Sequence, residues 1–394
     1  MSASGARSML PALSPDERRH CEAVATHIRA ELVAAGGWLS FERFMELALY
    51  APGLGYYSAG SVKLGTGGDF VTAPEVSELF GRCLARQCAE VLRETGGGIL
   101  ELGAGTGALA ATVLAALESL GVLPDRYAIL EVSADLAARQ RARIASLAPH
   151  LRERVVWIER LPEAPLRGLI LANEVADALP CRRFRLRGGK VRELGVALAP
   201  DGSLQDAEAD PEPALAAACA AVLGEALRSL PEGYTSEINL RVAPWTATLG
   251  ECLERGVLLL IDYGLPRSHY YHPQRSSGTL RCHFRQRAHD EPLLNPGLQD
   301  ITAWVDFTRI AEAAADVGLE VAGFATQAAF LLALGLEQRL AEAPDPVTQA
   351  RLAGEARRLV MPEEMGEAFK AMALARGYDA PLAGFALQDL RHSL

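Results

Sequence analysis

The chain has 394 residues, enough for two or three domains or for one large domain with insertions. Its hydrophobic share of 49% and charged share of 22% are those of an ordinary globular protein rather than a disordered one. A net charge of −10 argues against nucleic-acid binding by bulk electrostatics and suits cationic ligands and basic partners.

No apolar run approaches a membrane span; "VLLLI" at 257–261 is among the longest. The N-terminus lacks the charged start and apolar core of a secretory signal. Its Arg, Ser and Ala content resembles a transit peptide, but Asp16 and Glu17 argue against one. The seven cysteines are odd in number and include no C-x-x-C, so neither a zinc site nor a disulfide framework is expected, and a reducing compartment fits.

In chain order, residues 14–35 read as an amphipathic helix with Ser14 as N-cap, Pro15 in the first turn and Gly36-Gly37 at its end. A second helix begins near Ser40 and ends before Pro52. The glycine-rich segment 51–75 is a long loop of the kind that forms a lid. Pro74 opens a helix that runs to about Thr95. From Gly98 the pattern alternates: "GILELG", "YAILEVS", "RVVWIE" and "GLILANE" are strands, with helices over "TGALAATVLAALESL" and "ADLAARQRARIASL". That rhythm predicts an α/β fold, a mostly parallel sheet covered by helices on both faces. "RRFRLRGGKVRELGV" reads as a β-hairpin turning at Gly188-Gly189. A helix-rich stretch, 211–255, precedes the buried strand "VLLLIDYG". The tail, 327–394, reads as mostly helical, and there is no internal repeat.

The first strand meets its helix at "ELGAGTG". Gly103, Gly105 and Gly107 permit a tight turn and a close approach of backbone to ligand, and the helix start adds free N–H groups. The spacing is G-x-G-x-G, with Glu101 two positions earlier; the G-x-G-x-x-G of dinucleotide binders is not met, which disfavours a dehydrogenase. The pattern resembles motif I of class I S-adenosylmethionine methyltransferases. Glu131, ending the next strand, can accept both hydroxyls of a ribose. Glu159, ending the third, stands near the expected adenine edge, though a solvated strand end explains it equally well.

"GYYS", "GDFVTAPEVSELFG", "LELGAGTGALA", "YAILEVSADLAARQ", "ANEVADALPCRRF", "LLLIDYG", "PGLQDITAWVDF" and "TQAAFLLALG" occur in this order. Together they resemble the MidA family of methyltransferase-like proteins over roughly residues 38–390. The resemblance implies a Rossmann-like class I core that uses S-adenosyl-L-methionine. It also implies kinship with a mitochondrial protein-arginine methyltransferase that serves assembly of respiratory complex I. Gly68, Asp69, Phe70, Thr72, Pro74 and Glu75 match the family's segment expected to close over the cofactor. Thr72 and Glu75 could take a cationic amino group, or could serve only as helix cap and first-turn acid.

In "LILANEVADALP", four apolar residues lead into Asn173, Glu174 and Asp177. A guanidinium stays charged and needs carboxylates to hold it and to localise a lone pair on one nitrogen. Glu174 is therefore expected to hold or deprotonate the acceptor nitrogen, Asn173 to orient it and Asp177 to assist; Asp177 could equally cap its turn. His289, beyond the "DYG" of Asp262 and Tyr263, is a candidate general base, although a lone loop histidine is more often structural. No metal is expected.

The domain reading is N-terminal helices and lid over 1–70, core over 71–200 and 256–330, an insertion over 201–255 and a helical segment over 331–394. The expected activity is methyl transfer to a protein side chain, arginine favoured, with a basic protein or a complex I subunit as partner. The alternatives are a small-molecule amine as acceptor, or an assembly protein that binds the cofactor without turnover. The basic stretch "CRRFRLRGGKVR" keeps a nucleic-acid substrate in view, but a solvated hairpin face or protein contact fits it better. No membrane association is expected. A homodimer is permitted, and the location is cytoplasmic, or the mitochondrial matrix in a eukaryote.

Overall fold

A computed structural model describes residues 10–59 and 72–394. The chain forms two compact units, each assembled from separated stretches.

The larger unit holds residues 72–176, Ala243–Pro266 and Val305–Leu394. Its strands, in chain order, are β1 (Gly98–Leu102), β2 (Tyr127–Leu130), β3 (Val155–Ile158), β4 (Leu166–Asn173), β5 (Leu253–Leu265), β6 (Glu320–Thr326) and β7 (Phe369–Arg376). They lie in the order β6-β7-β5-β4-β1-β2-β3, and the short strand Val305–Asp306 also pairs with β5. From β5 to β3 every pairing is parallel; β7 runs antiparallel between β5 and β6. Strands buried on both faces read as continuous apolar runs, as in the centres of β4 and β5. The helices Glu78–Thr95, Ala108–Ser119 and Pro346–Val360 pack Phe80, Val113 and Leu359 into one core with Ile129, Leu171 and Leu259. The order of β3, β2, β1, β4 and β5 is the doubly wound one, which places the carboxyl ends of β1 and β4, at the reversal, where open sheets bind ligands. The α/β expectation is met.

The smaller unit combines the described residues up to 59 with Asp177–Val242 and Arg267–Trp304. Ser14 caps Pro15–Ala34 in a full capping box with Glu17. The predicted hairpin forms as Arg182–Arg187 and Lys190–Leu198, with both turn glycines at positive φ. Trp38–Ser40, Thr235–Ile238 and Leu204–Ala209 extend it into a five-stranded antiparallel sheet. The core of this unit gathers Val24, Ile28, Phe44, Tyr56, Val196 and Ile301. The arginines of the basic stretch are paired inside the unit. Arg182 reaches Glu42 and Glu193, Arg185 and Arg187 share Glu208, and Arg192 meets Asp210. Their charge is thus largely matched by neighbouring carboxylates, which weakens the case for a nucleic-acid face.

Four sequence expectations need correction. The tail is not helical throughout: after Gln327–Ala333, Leu336–Ala341 and Pro346–Val360 it holds β7, a strand paired on both sides and buried along seven of its eight residues. The hairpin is not part of the sheet unit; in the smaller one its Val196 joins the core of Val24, Ile28 and Phe44, and its Phe184 packs against Tyr234. The helix-rich stretch 211–255 also holds a strand, Thr235–Ile238. The helix opened by Pro74 breaks at Ser77, whose extended backbone ends Ala73–Val76 and whose Oγ caps Glu78–Thr95 by accepting from Leu79 N.

Candidate cofactor and active site

The glycine turn follows β1 directly. Gly103, Gly105 and Gly107 have φ of 60°, 54° and 82°, a region that disfavours any residue with a Cβ. Gly107 is the N-cap of Ala108–Ser119 and makes no side-chain cap bond, so first-turn N–H groups face the turn without a capping side chain. A Cβ on Gly107 would stand 3.2 Å from Gln140 Cα. Gly107→Ala is therefore expected to cost about 1–2 kcal/mol of stability, and to weaken cofactor binding, as read by thermal unfolding with and without ligand.

Glu131 follows β2 and is nearly buried. Its Oε1 accepts from Ser133 N at 2.8 Å and its Oε2 from Gln140 Nε2 at 2.9 Å. Gln140, fully buried, also donates to Gly105 O at 3.0 Å and accepts from Trp157 Nε1 at 2.9 Å. One side chain thus joins the glycine turn, the carboxylate after β2 and the indole of β3. Sequence reasoning missed it, although a signal was there: Leu136, Gln140 and Ile144 share the buried stripe of helix Ala134–Ile144, and a glutamine on such a stripe needs partners.

Glu101 sits within β1 at 3% exposure and accepts from Tyr127 Oη at 2.8 Å. Burial pushes its carboxyl up to about 7; the Tyr127 bond opposes this and the charge of Glu131 adds to it. Glu159 lies exposed just beyond β3.

Glu174 follows β4 and holds a positive φ of 52°. Such a backbone persists only where its surroundings enforce it. Here Glu174 N donates to Ile261 O at 2.9 Å, and Ala176 N donates to Asp262 Oδ2 at 3.0 Å. The end of β5 therefore fixes the turn after β4. Glu174 Oε1 accepts from Ala73 N at 3.3 Å and from Asn173 Nδ2 at 3.2 Å. Asn173 Oδ1 is buried and, among the described residues, has no hydrogen-bond partner. A buried acceptor left in this way fits a ligand donor.

Thr72 makes no side-chain cap bond; its carbonyl accepts from Glu75 N and Val76 N. Glu75 Oε1 accepts from Thr106 Oγ1 and lies 3.6 Å from Arg143 Nη1. The short helix Ala73–Val76 is thus joined to the glycine turn through Glu75 and to Glu174 through Ala73. The expectation for Asp69, with Gly68 and Phe70, lies outside the described residues.

Asp177 and His289 belong to the smaller unit. Asp177 is buried, with its carbonyl accepting from Ala303 N at 3.1 Å. His289 ends the short strand Arg287–His289; its Nδ1 accepts from Glu291 N at 3.3 Å, and burial lowers its pKa below the ordinary value. Among the described residues no cluster of His, Cys, Asp and Glu is arranged to hold a metal, and no helix is long and apolar enough to cross a membrane.

The geometry fits an adenosyl ligand: a turn with close backbone access, a carboxylate for vicinal hydroxyls, and an orphaned amide oxygen beside a second carboxylate. The profile of the family described as "Putative S-adenosyl-L-methionine-dependent methyltransferase" matches residues 83–325. A crystal structure of a Burkholderia thailandensis protein bound to S-adenosyl-homocysteine superposes with a TM-score of 0.92 at 43% identity, covering 98% of this chain and 100% of that one. The mitochondrial protein arginine methyltransferase NDUFAF7 of Danio rerio is 29% identical over 89% of this chain and 86% of its own length. The Drosophila melanogaster homolog is also 29% identical, over 92% and 88%. The α/β core, the glycine turn and these matches agree: the chain belongs to the MidA family of S-adenosyl-L-methionine-dependent methyltransferases, and S-adenosyl-L-methionine is its cofactor.

Proposed function

We propose that the protein N-methylates an arginine side chain of a protein. The observation that carries this reading is Glu174, a carboxylate on a left-handed backbone at the end of β4, oriented by Ala73 N and Asn173 Nδ2. The relatives named as protein arginine methyltransferases support it. The cofactor supplies a methyl group carried on a sulfonium. Glycine turn and Glu131 hold its nucleoside; Asn173 Oδ1 and Glu75 stand as acceptors for its amino-acid part. Glu174 holds the guanidinium, localises a lone pair on the nitrogen that forms the new N–C bond as the S–CH3 bond breaks to leave a neutral thioether, and takes up the proton that nitrogen loses. Nothing in this scheme requires His289.

The acceptor implied by the family resemblance is a complex I subunit or another basic protein. The compartment is the cytoplasm in a bacterium and the mitochondrial matrix in a eukaryote. A homodimer is compatible with this reading, which does not depend on it. The second reading, a cofactor-binding assembly protein without turnover, is favoured by one observation: Glu174 Oε1 already accepts two internal bonds.

The test is transfer of labelled methyl from S-adenosyl-L-methionine to peptides that differ only in carrying arginine, lysine or glutamine. Label confined to the arginine peptide, recovered as methylarginine by mass spectrometry, is the expected result. Label on small amines alone would replace the acceptor. Cofactor binding with no transfer to any acceptor would put the assembly reading first.

A further inference from the structure

We infer that Gln140 is a positioning residue for the cofactor's ribose, setting the orientation of Glu131 and the height of the glycine turn together. The inference rests on the placement of the ribose at Glu131 described above. Ser133 N binds Glu131 Oε1 and Gln140 Nε2 binds Oε2, so the amide and the backbone N–H together set a terminal torsion that is broad for a glutamate. Gln140 Nε2 has two hydrogens, and both are used: one binds Glu131 Oε2 and the other Gly105 O. That leaves Oε1, which accepts from Trp157 Nε1. The indole therefore also fixes which end of the amide faces the site, because a flipped amide would set Oε1 against a carboxylate and a carbonyl.

The arrangement sits on a rigid support. Gln140 is on the inward stripe of Ala134–Ile144, whose N-cap Ser133 accepts from Leu136 N and itself binds Glu131 through its own N–H. Gly107 packs on the Cα, Cβ and Cγ of Gln140, which explains why that turn position has no room for a side chain. The turn, the carboxylate and the helix consequently move as one body, and a fully satisfied buried amide of this kind specifies a single geometry.

The test uses calorimetric titration of the full chain with S-adenosyl-homocysteine and with its 2′-deoxy and 3′-deoxy analogues. The wild type is expected to bind the deoxy analogues about tenfold or more weakly, the loss of hydrogen bonds to a charged group. Glu131→Gln is expected to close most of that gap, since it removes the charged acceptor. Gln140→Met keeps the volume and removes all three bonds. It is expected to shrink the gap to about threefold or less, and Glu131→Gln added to it is expected to shrink it no further. If Gln140→Met fails to fold, Gln140→Glu serves in its place: it keeps the acceptor for Trp157 and removes both amide donors. A folded Gln140 variant that keeps the full gap overturns the inference. A Glu131→Gln variant that keeps it overturns both the ribose placement and the role of Gln140. A simple loss of stability would weaken all ligands alike and leave the gap intact, so it counts against the inference too.

Discussion

Glu174→Gln is expected to lower methyl transfer at saturating cofactor by about 10²–10⁴-fold, while affinity for S-adenosyl-homocysteine stays within a few-fold of wild type. The substitution is isosteric. The new amide oxygen can still accept from Ala73 N and Asn173 Nδ2, so the two contacts that orient the side chain survive. The left-handed backbone is held by Glu174 N on Ile261 O and by Asp262 on Ala176 N, neither of which involves the side chain. What disappears is the negative charge. A guanidinium beside a neutral amide keeps its proton, and no lone pair is localised for the displacement. The loss therefore falls on kcat, with the cofactor's KM little changed. Single-turnover transfer against a fixed acceptor peptide, with calorimetry alongside, separates the two quantities. Wild-type turnover in this variant would remove Glu174 from the chemistry. Equal loss of cofactor binding would make it a cofactor ligand instead.

The part of this site that was legible in the sequence is the part made locally. The glycine turn, Glu131 at the end of β2 and the Asn173–Glu174 pair each follow an apolar strand, and strand periodicity finds them. The capping box at Ser14 is likewise written in four adjacent residues. What was hidden depends on distant partners. "FKAMALAR" has helix-forming residues and no alternation, yet it is β7, because both of its faces are covered and its pairs with β5 and β6 come from far along the chain. Nothing local marks it as a strand. The left-handed backbone of Glu174 is imposed by β5, more than eighty residues later, and a glutamate in sequence gives no sign of it. The division into units follows the same logic. Segments 177–242 and 267–304 leave the sheet unit and join the N-terminal helices, which no composition shift announces. Gln140 lies between these cases: its place on an apolar stripe was visible, but its three partners were not.

Above pH 7, Glu101→Gln is expected to be more stable than the wild type by about 3 kcal/mol, and at pH 4 to be indistinguishable from it. Glu101 is enclosed by β1, Tyr127 and Cys88, and burial outweighs the single bond from Tyr127 Oη, so its carboxyl titrates near 7 instead of the ordinary 4.5. A carboxyl whose pKa is raised by folding binds its proton more tightly in the folded state. The stability tied to that proton is fully present below the unfolded value of 4.5 and is lost as pH rises through about 7. Glutamine accepts the same Tyr127 hydrogen bond without a charge, so it escapes the loss. Urea unfolding at several pH values should show two curves that coincide in acid and separate through neutrality. Parallel curves would mean that Glu101 ionises normally in the fold. The same variant distinguishes two roles for the acid before the glycine turn. If Glu101 acts on the turn only through β1 and the core, cofactor affinity at neutral pH changes little while stability rises. If its charge contacts the cofactor, affinity falls in the pH range where the variant is more stable, and the two effects have opposite sign.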